Sequence, residues 1–183
     1  AVVLVATLRA LKYHAGLAID AVGKVDPKAV EAGLPNLEKH IENIKSFEQP
    51  CVVAINRFPT DTAEELDAVI AHCKSLGVEA VVADPFGTGG PGCTALAERV
   101  SAVTAASKPH FRPLYEWNAS IEEKIRIIAS SMYGAEAVDY TPRAARDRAH
   151  LEKLGYGGLP VCIAKTQQSL SDNPKLLGRP KDF

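Results

Sequence analysis

The chain has 183 residues, 46% hydrophobic and 23% charged, with a formal net charge of −1. That is enough for a soluble α/β domain with a real core. A near-neutral balance offers nothing to nucleic acid or to an anionic membrane, and the apolar runs fall far short of the roughly 20 residues a membrane helix needs. Cys51, Cys73, Cys93 and Cys162 are scattered singly, with no C-x-x-C pair to suggest a metal site. This usage fits a reducing, cytoplasmic setting.

In chain order, residues 2–6 (Val-Val-Leu-Val-Ala) form a continuous apolar run, the pattern of a parallel strand covered on both faces. Residues 7–13 read as a short helix or turn, with Arg9 and Lys12 exposed. Gly16, Gly23, Asp26-Pro27 and Gly33 mark residues 14–33 as a long loop. Residues 34–47 are an amphipathic helix, with Leu34, Leu37, Ile41 and Ile44 on one stripe. A second strand at 51–55 leads into the loop 56–61. Thr62-Ala63-Glu64-Glu65 then has the form of a capping box and opens another helix. Residues 78–83 read as a third strand.

Asp84-Pro85-Phe86-Gly87-Thr88-Gly89-Gly90-Pro91-Gly92-Cys93 comes next, ahead of a helix with Leu96, Val100 and Val103 on one face. A glycine-rich turn between strand and helix is where an α/β protein places a ligand. It is not a phosphate loop, because no Lys-Ser or Lys-Thr follows the glycines, and Pro91 spoils the G-x-G-x-x-G spacing of Gly87, Gly89 and Gly92. Residues 107–119 are irregular and hold Trp117, the single tryptophan. Ser120-Ile121-Glu122-Glu123 has the form of a second capping box, and its helix stops at Gly134. Thr141-Pro142 opens a further helix that ends near Gly155, residues 159–164 read as a fourth strand, and residues 165–183 are irregular.

Alternating strands and helices predict an α/β fold with a parallel sheet and flanking helices. Ligands then lie beyond the C-terminal strand ends. Those ends carry His14, Arg57-Phe58-Pro59-Thr60-Asp61, Pro85-Phe86 and Lys165-Thr166-Gln167. Asn56-Arg57-Phe58-Pro59 is close to the N-K-x-D base-reading pattern of GTPases, but Pro59 occupies the Asp position, so guanine recognition is unsupported. Asn56 then serves to tie its loop to the sheet.

Longer stretches carry a resemblance. Val-Leu-Val-Ala-Thr-Leu-Arg-Ala-Leu-Lys-Tyr-His at 3–14, Asn-Leu-Glu-Lys-His-Ile at 36–41, Val-Val-Ala-Ile-Asn-Arg-Phe-Pro-Thr-Asp-Thr at 52–62, Phe86 with Gly89-Gly90-Pro91-Gly92, Ile-Glu-Glu-Lys-Ile at 121–125, Tyr-Gly-Ala at 133–135 and Leu-Pro-Val-Cys-Ile-Ala-Lys-Thr-Gln at 159–167 resemble formate–tetrahydrofolate ligase (formyltetrahydrofolate synthetase). Ala15, where members commonly have Gly, and Glu48-Gln49, in place of a more apolar pair, depart from the pattern.

The resemblance implies a P-loop NTPase-like enzyme in which ATP, with Mg, phosphorylates formate, and formyl phosphate passes its formyl group to N10 of tetrahydrofolate. It implies no covalently bound cofactor, no membrane or nucleic-acid partner, and a homo-oligomer. No ATP-phosphate loop is present in these residues, and a central-type strand begins at residue 2 with no methionine before it. We therefore expect residues 1–183 to be a single α/β fragment from the middle of a larger enzyme, inactive without the N- and C-terminal portions. The family holds the flat pterin between aromatic side chains. By position, Phe86 is the first candidate, then Trp117 and Phe58, with Pro85 and Leu114 beside them. Gly89, Gly90, Gly92, Asn56 and Asp61 would support the loops. No catalytic residue and no metal ligand can be named. The alternative is a structural or oligomerisation module of that enzyme without ligand binding of its own. A free-standing nucleotide-binding protein is disfavoured by the lack of a phosphate loop.

Overall fold

A computed structural model describes residues 1–108, 110–164, 169–181 and 183. They fall into two compact units, Ala1–Arg112 and Pro113–Phe183.

The first unit is built on a parallel sheet of three strands, β1 (Val2–Ala6), β2 (Cys51–Asn56) and β3 (Glu79–Ala83), in the order β1-β2-β3. Val3 pairs with Val52, Leu4 with Val53 and Val5 with Ala54, while Val53 pairs with Ala80 and Asn56 with Ala83. Helices α1 (Leu8–His14), α2 (Pro27–Ser46) and α3 (Ala63–Ser75) supply the core on one face. Leu8, Leu11, Val30, Leu34, Leu37, Ile41, Leu66 and Val69 bury against Val53 and Ile55. After a single turn, α4 (Pro85–Thr88), comes α5 (Thr94–Ala106), which packs on β2 and β3. Its Arg99 pairs with Glu79, which shares a face with Val52 and lies opposite the core residue Val53. Leu96, Val100 and Val103 are the half-buried side of α5, as the spacing predicts.

The loop expected over 14–33 is shorter, because α2 starts at Pro27 rather than at Leu34. Asp26 accepts a hydrogen bond from Ala29 N–H, and Pro27 stands in the first turn, where its missing N–H costs nothing. Gly33 is a packing glycine rather than a breaker: a Cβ there would lie 2.1 Å from the Leu11 carbonyl oxygen, so α1 and α2 cross in close contact. Pro35 sits inside α2 and is carried by the buried stripe around it.

The second unit holds α6 (Ile121–Ile128), a π-helical turn at Ala129–Tyr133 ending on left-handed Gly134, and α7 (Pro142–Lys153) with Thr141 as its cap. The capping box at Ser120 forms by half. Ser120 Oγ accepts from Glu123 N–H, but the Glu123 carboxylate turns to Arg126, at 2.8 and 2.7 Å. The fourth strand expected at 159–164 does not form. A strand needs a ladder partner, and Val161 spends both backbone groups on one side chain: its N–H donates to Tyr115 Oη at 3.0 Å, and its carbonyl accepts from that hydroxyl at 3.2 Å. The irregular tail expected over 165–183 is bends and turns at 169–181. Lys165-Thr166-Gln167 lies outside the described residues.

Candidate functional site

In the first unit the candidate residues lie at the carboxyl ends of β2 and β3. The β2 and β3 ends are locked side by side, since Arg57 N–H donates to the Ala83 carbonyl at 2.9 Å and Asn56 is in register with Ala83. Beyond Asn56 the chain turns on a buried carboxylate. Asp61 Oδ2 accepts from Phe58 N–H at 2.8 Å, and Asp61 N–H returns to the Phe58 carbonyl at 3.0 Å. Phe58 is half-buried, with the Arg9 guanidinium 3.9 Å from its ring centroid. That cation–π contact ties the start of α1 to the β2 loop, so Phe58 has one face committed within the protein. Arg9 is thus half-buried, not exposed as its place in the sequence suggests.

The glycine stretch is a compact knot. Asp84 Oδ1 accepts from Gly87 N–H at 2.7 Å, the Asp84 carbonyl accepts from Thr88 N–H and Oγ1 at 3.2 and 3.1 Å, and Asp84 N–H donates to the Gly92 carbonyl at 3.1 Å. A Cβ on Gly92 would meet the Asp84 carbonyl oxygen at 2.2 Å, and Gly89 has φ +65°, whereas Gly90 has open space around it. Of the three supporting glycines, two are therefore required by geometry and Gly90 is not. On this knot Phe86 stands 88% exposed, beside exposed Pro85. A rigid turn that holds a phenyl ring in water leaves both ring faces free for a flat guest.

These turns do not fit the phosphates of ATP. The N–H groups of Gly87, Gly89 and Gly92 are used within the knot, and the Asp84 carboxylate already occupies the place an anion would take. No step is assigned to ATP or Mg through these residues.

In the second unit Trp117 is 52% exposed, and Leu114 is half-buried. Between them Tyr115 is anchored on Val161, as described. Lys124 is buried and donates to the carbonyls of Gly157 and Leu159 at 2.7 and 3.0 Å. Tyr115 and Lys124 together fix the 157–161 segment beside the Trp117 loop. An open groove of about 540 Å³ in this unit is walled by Ile121, Ile125, Leu151 and Leu159. Its Arg148 is paired with Glu122 and lies 5.0 Å from the Tyr140 ring centroid. Phe86, Pro85, Phe58, Asn56, Asp61 and the three glycines belong to the first unit; Trp117 and Leu114 belong to the second.

Sequence reasoning missed one feature of the first unit. Lys12 and Glu65 are both buried and form an ion pair at 2.6 Å. Lys12 also donates to the Lys24 carbonyl at 2.6 Å, and Glu65 accepts from Asp26 N–H at 2.8 Å and from Thr62 N–H and Oγ1 at 3.2 and 3.0 Å. Burial pushes the Glu65 carboxyl up, but Lys12, the Asp26 N–H and Thr62 outweigh it and hold it below its ordinary value. Lys12 was expected to be exposed; it is instead the cation joining α1, the 15–26 loop and α3. The one legible signal was Glu65 itself, the last residue of the capping box.

The parallel three-stranded sheet with flanking helices makes the first unit an α/β fold, with an exposed aromatic on a braced turn beyond its C-terminal strand ends. The family model for formate–tetrahydrofolate ligase matches residues 1–183. A formate–tetrahydrofolate ligase from Syntrophus aciditrophicus (strain SB) is 50% identical over 182 residues, which is 100% of this chain and 32% of that relative. The chain belongs to the formate–tetrahydrofolate ligase family and spans about a third of that relative's length.

Proposed function

We propose that these residues are the folate-side portion of an ATP-dependent ligase that makes 10-formyltetrahydrofolate from formate and tetrahydrofolate by way of formyl phosphate. The observation that carries this reading is Phe86, 88% exposed on a turn whose every bend is internally braced. Phe86 stacks on the pterin, with Pro85 packing beside it. Phe58, one side taken by Arg9, lines the neighbouring loop of the same unit, and Trp117, with Leu114, is a separate candidate in the second unit. Asn56, Asp61, Gly89 and Gly92 hold the loops rather than touch the ligand. A planar, polarisable ring suits aromatic faces, which grip it without requiring one hydrogen-bond pattern.

ATP and Mg act through parts of the enzyme outside this chain, so the 183 residues alone do not complete the reaction. An assay of formyltetrahydrofolate synthesis by the isolated chain is expected to read background, and robust turnover would overturn that claim. The working setting is cytoplasmic, and no helix among the described residues is long and apolar enough to cross a membrane. The test of the folate reading is a titration with tetrahydrofolate that follows Trp117 emission. Saturable quenching, weakened in Phe86→Ala, is the expected result. Quenching that Phe86→Ala leaves intact would remove Phe86 from the site.

A further inference from the structure

The first unit contains four arginines, and they divide by place. Arg99 is paired with Glu79, where β3 begins, and Arg112 with Glu48, just ahead of β2. Arg9 and Arg57 stand at the opposite, carboxyl ends, shortly after β1 and directly after β2. Neither has a carboxylate partner among the described residues. Arg57 is exposed. Arg9 lies over the Phe58 ring at 3.9 Å, and its Nε is buried without a hydrogen-bond acceptor. Stacking engages the face of a guanidinium and leaves the N–H groups in its plane unspent. A buried donor without an acceptor is uncommon and points to a missing one. The acids of the neighbouring turns do not supply it. Asp61 and Asp84 hold their carboxylates on the N–H groups of Phe58 and Gly87.

Two unneutralised cations at the same ends of adjacent strands suit an anion laid across those ends. The turn that carries Phe86 follows β3, and all three strands run parallel, so Phe86, Arg57 and Arg9 follow the ends of β3, β2 and β1 in that order. Neighbouring strands are about 4.8 Å apart, so the line from β3 to β1 spans roughly 10 Å. Tetrahydrofolate is an elongated molecule, with the flat pterin at one end, an aminobenzoyl ring in the middle and the two carboxylates of a glutamate at the other. With its pterin on Phe86, a molecule running towards β1 passes Phe58 and brings its carboxylates to the two arginines. The planar fork of a guanidinium matches a carboxylate in charge and in shape.

We propose that Arg57 and Arg9 bind the glutamyl carboxylates of tetrahydrofolate and so set the preference for folates over pterins that lack the glutamate. The inference rests on the placement of the pterin at Phe86.

Calorimetric titration of the full-length enzyme with tetrahydrofolate and with tetrahydropteroate, which lacks the glutamate, tests it. Arg57→Gln is expected to weaken tetrahydrofolate about tenfold and to leave tetrahydropteroate unchanged. Arg9→Gln also loosens Phe58, which both ligands pass, so its effect is read as the difference between the two; tetrahydrofolate is expected to lose more. Equal effects on the two ligands in both variants, or no effect on either, would overturn the proposal. So would an Arg57→Gln enzyme that keeps the parent's discrimination and instead loses affinity for inorganic phosphate, because that reports a phosphate site. Phe86→Ala is expected to weaken both ligands alike. Its result therefore judges the pterin placement, while the difference between the ligands in the arginine variants judges the tail. Arg57 is exposed, so its variant is informative even if Arg9→Gln does not fold.

Discussion

Phe86 has almost nothing to lose from the fold and much to offer a ligand. With 88% of its surface exposed, Phe86→Ala should change unfolding free energy by no more than about 0.5 kcal/mol, read by urea denaturation. The glycines around it divide sharply. Gly92→Ala drives a methyl into the Asp84 carbonyl and should destabilise by about 1–3 kcal/mol, whereas Gly90→Ala meets open space and should be close to neutral. Equal effects of the two substitutions, measured by the same denaturation, would show that the knot is not the rigid support described. An aromatic in a Gly/Pro turn has no neighbouring element to bury it, so the sequence left Phe86 either packed under the loop or standing out from it, and the structure shows it standing out. The Arg9–Phe58 contact was not, because it joins residues far apart in sequence that only the closed sheet brings to 3.9 Å.

Among the elements, the Lys12–Glu65 node joins α1, the 15–26 loop and α3 in one buried network. Glu65 is held below its ordinary carboxylate pKa, so its contribution to stability is complete above the unfolded value of about 4.3 and is lost as pH falls through the lower folded value. Lys12→Met leaves the Glu65 charge buried without its cation and should cost about 3–5 kcal/mol at pH 7. That cost should shrink in acid, as measured by urea unfolding at pH 7 and pH 3. A cost that stays constant across this range would mean that the node is not ionic. The sequence predicted the strands, the capped helices and their parallel order, since periodicity and caps are local signals. It misplaced the start of α2, where a packing Gly33 and an N-terminal Pro27 look like loop residues. It also expected a strand at 159–164, where the missing ingredient was a partner and not β-propensity.

On the scale of the whole molecule, the chain is two compact units that together span about a third of a family member. This explains why the folate-side aromatics could be proposed while the phosphate chemistry could not: the turns described at the β2 and β3 ends do not fit ATP. The central claim is that the Phe86 turn grips the pterin. Calorimetric titration of the full-length enzyme with tetrahydrofolate, comparing the parent, Phe86→Ala and Gly90→Ala, tests it most directly. We predict that Phe86→Ala weakens binding about tenfold or more, equivalent to about 1.4 kcal/mol, and that Gly90→Ala leaves it unchanged. Parent-like affinity in a folded Phe86→Ala enzyme would contradict the account.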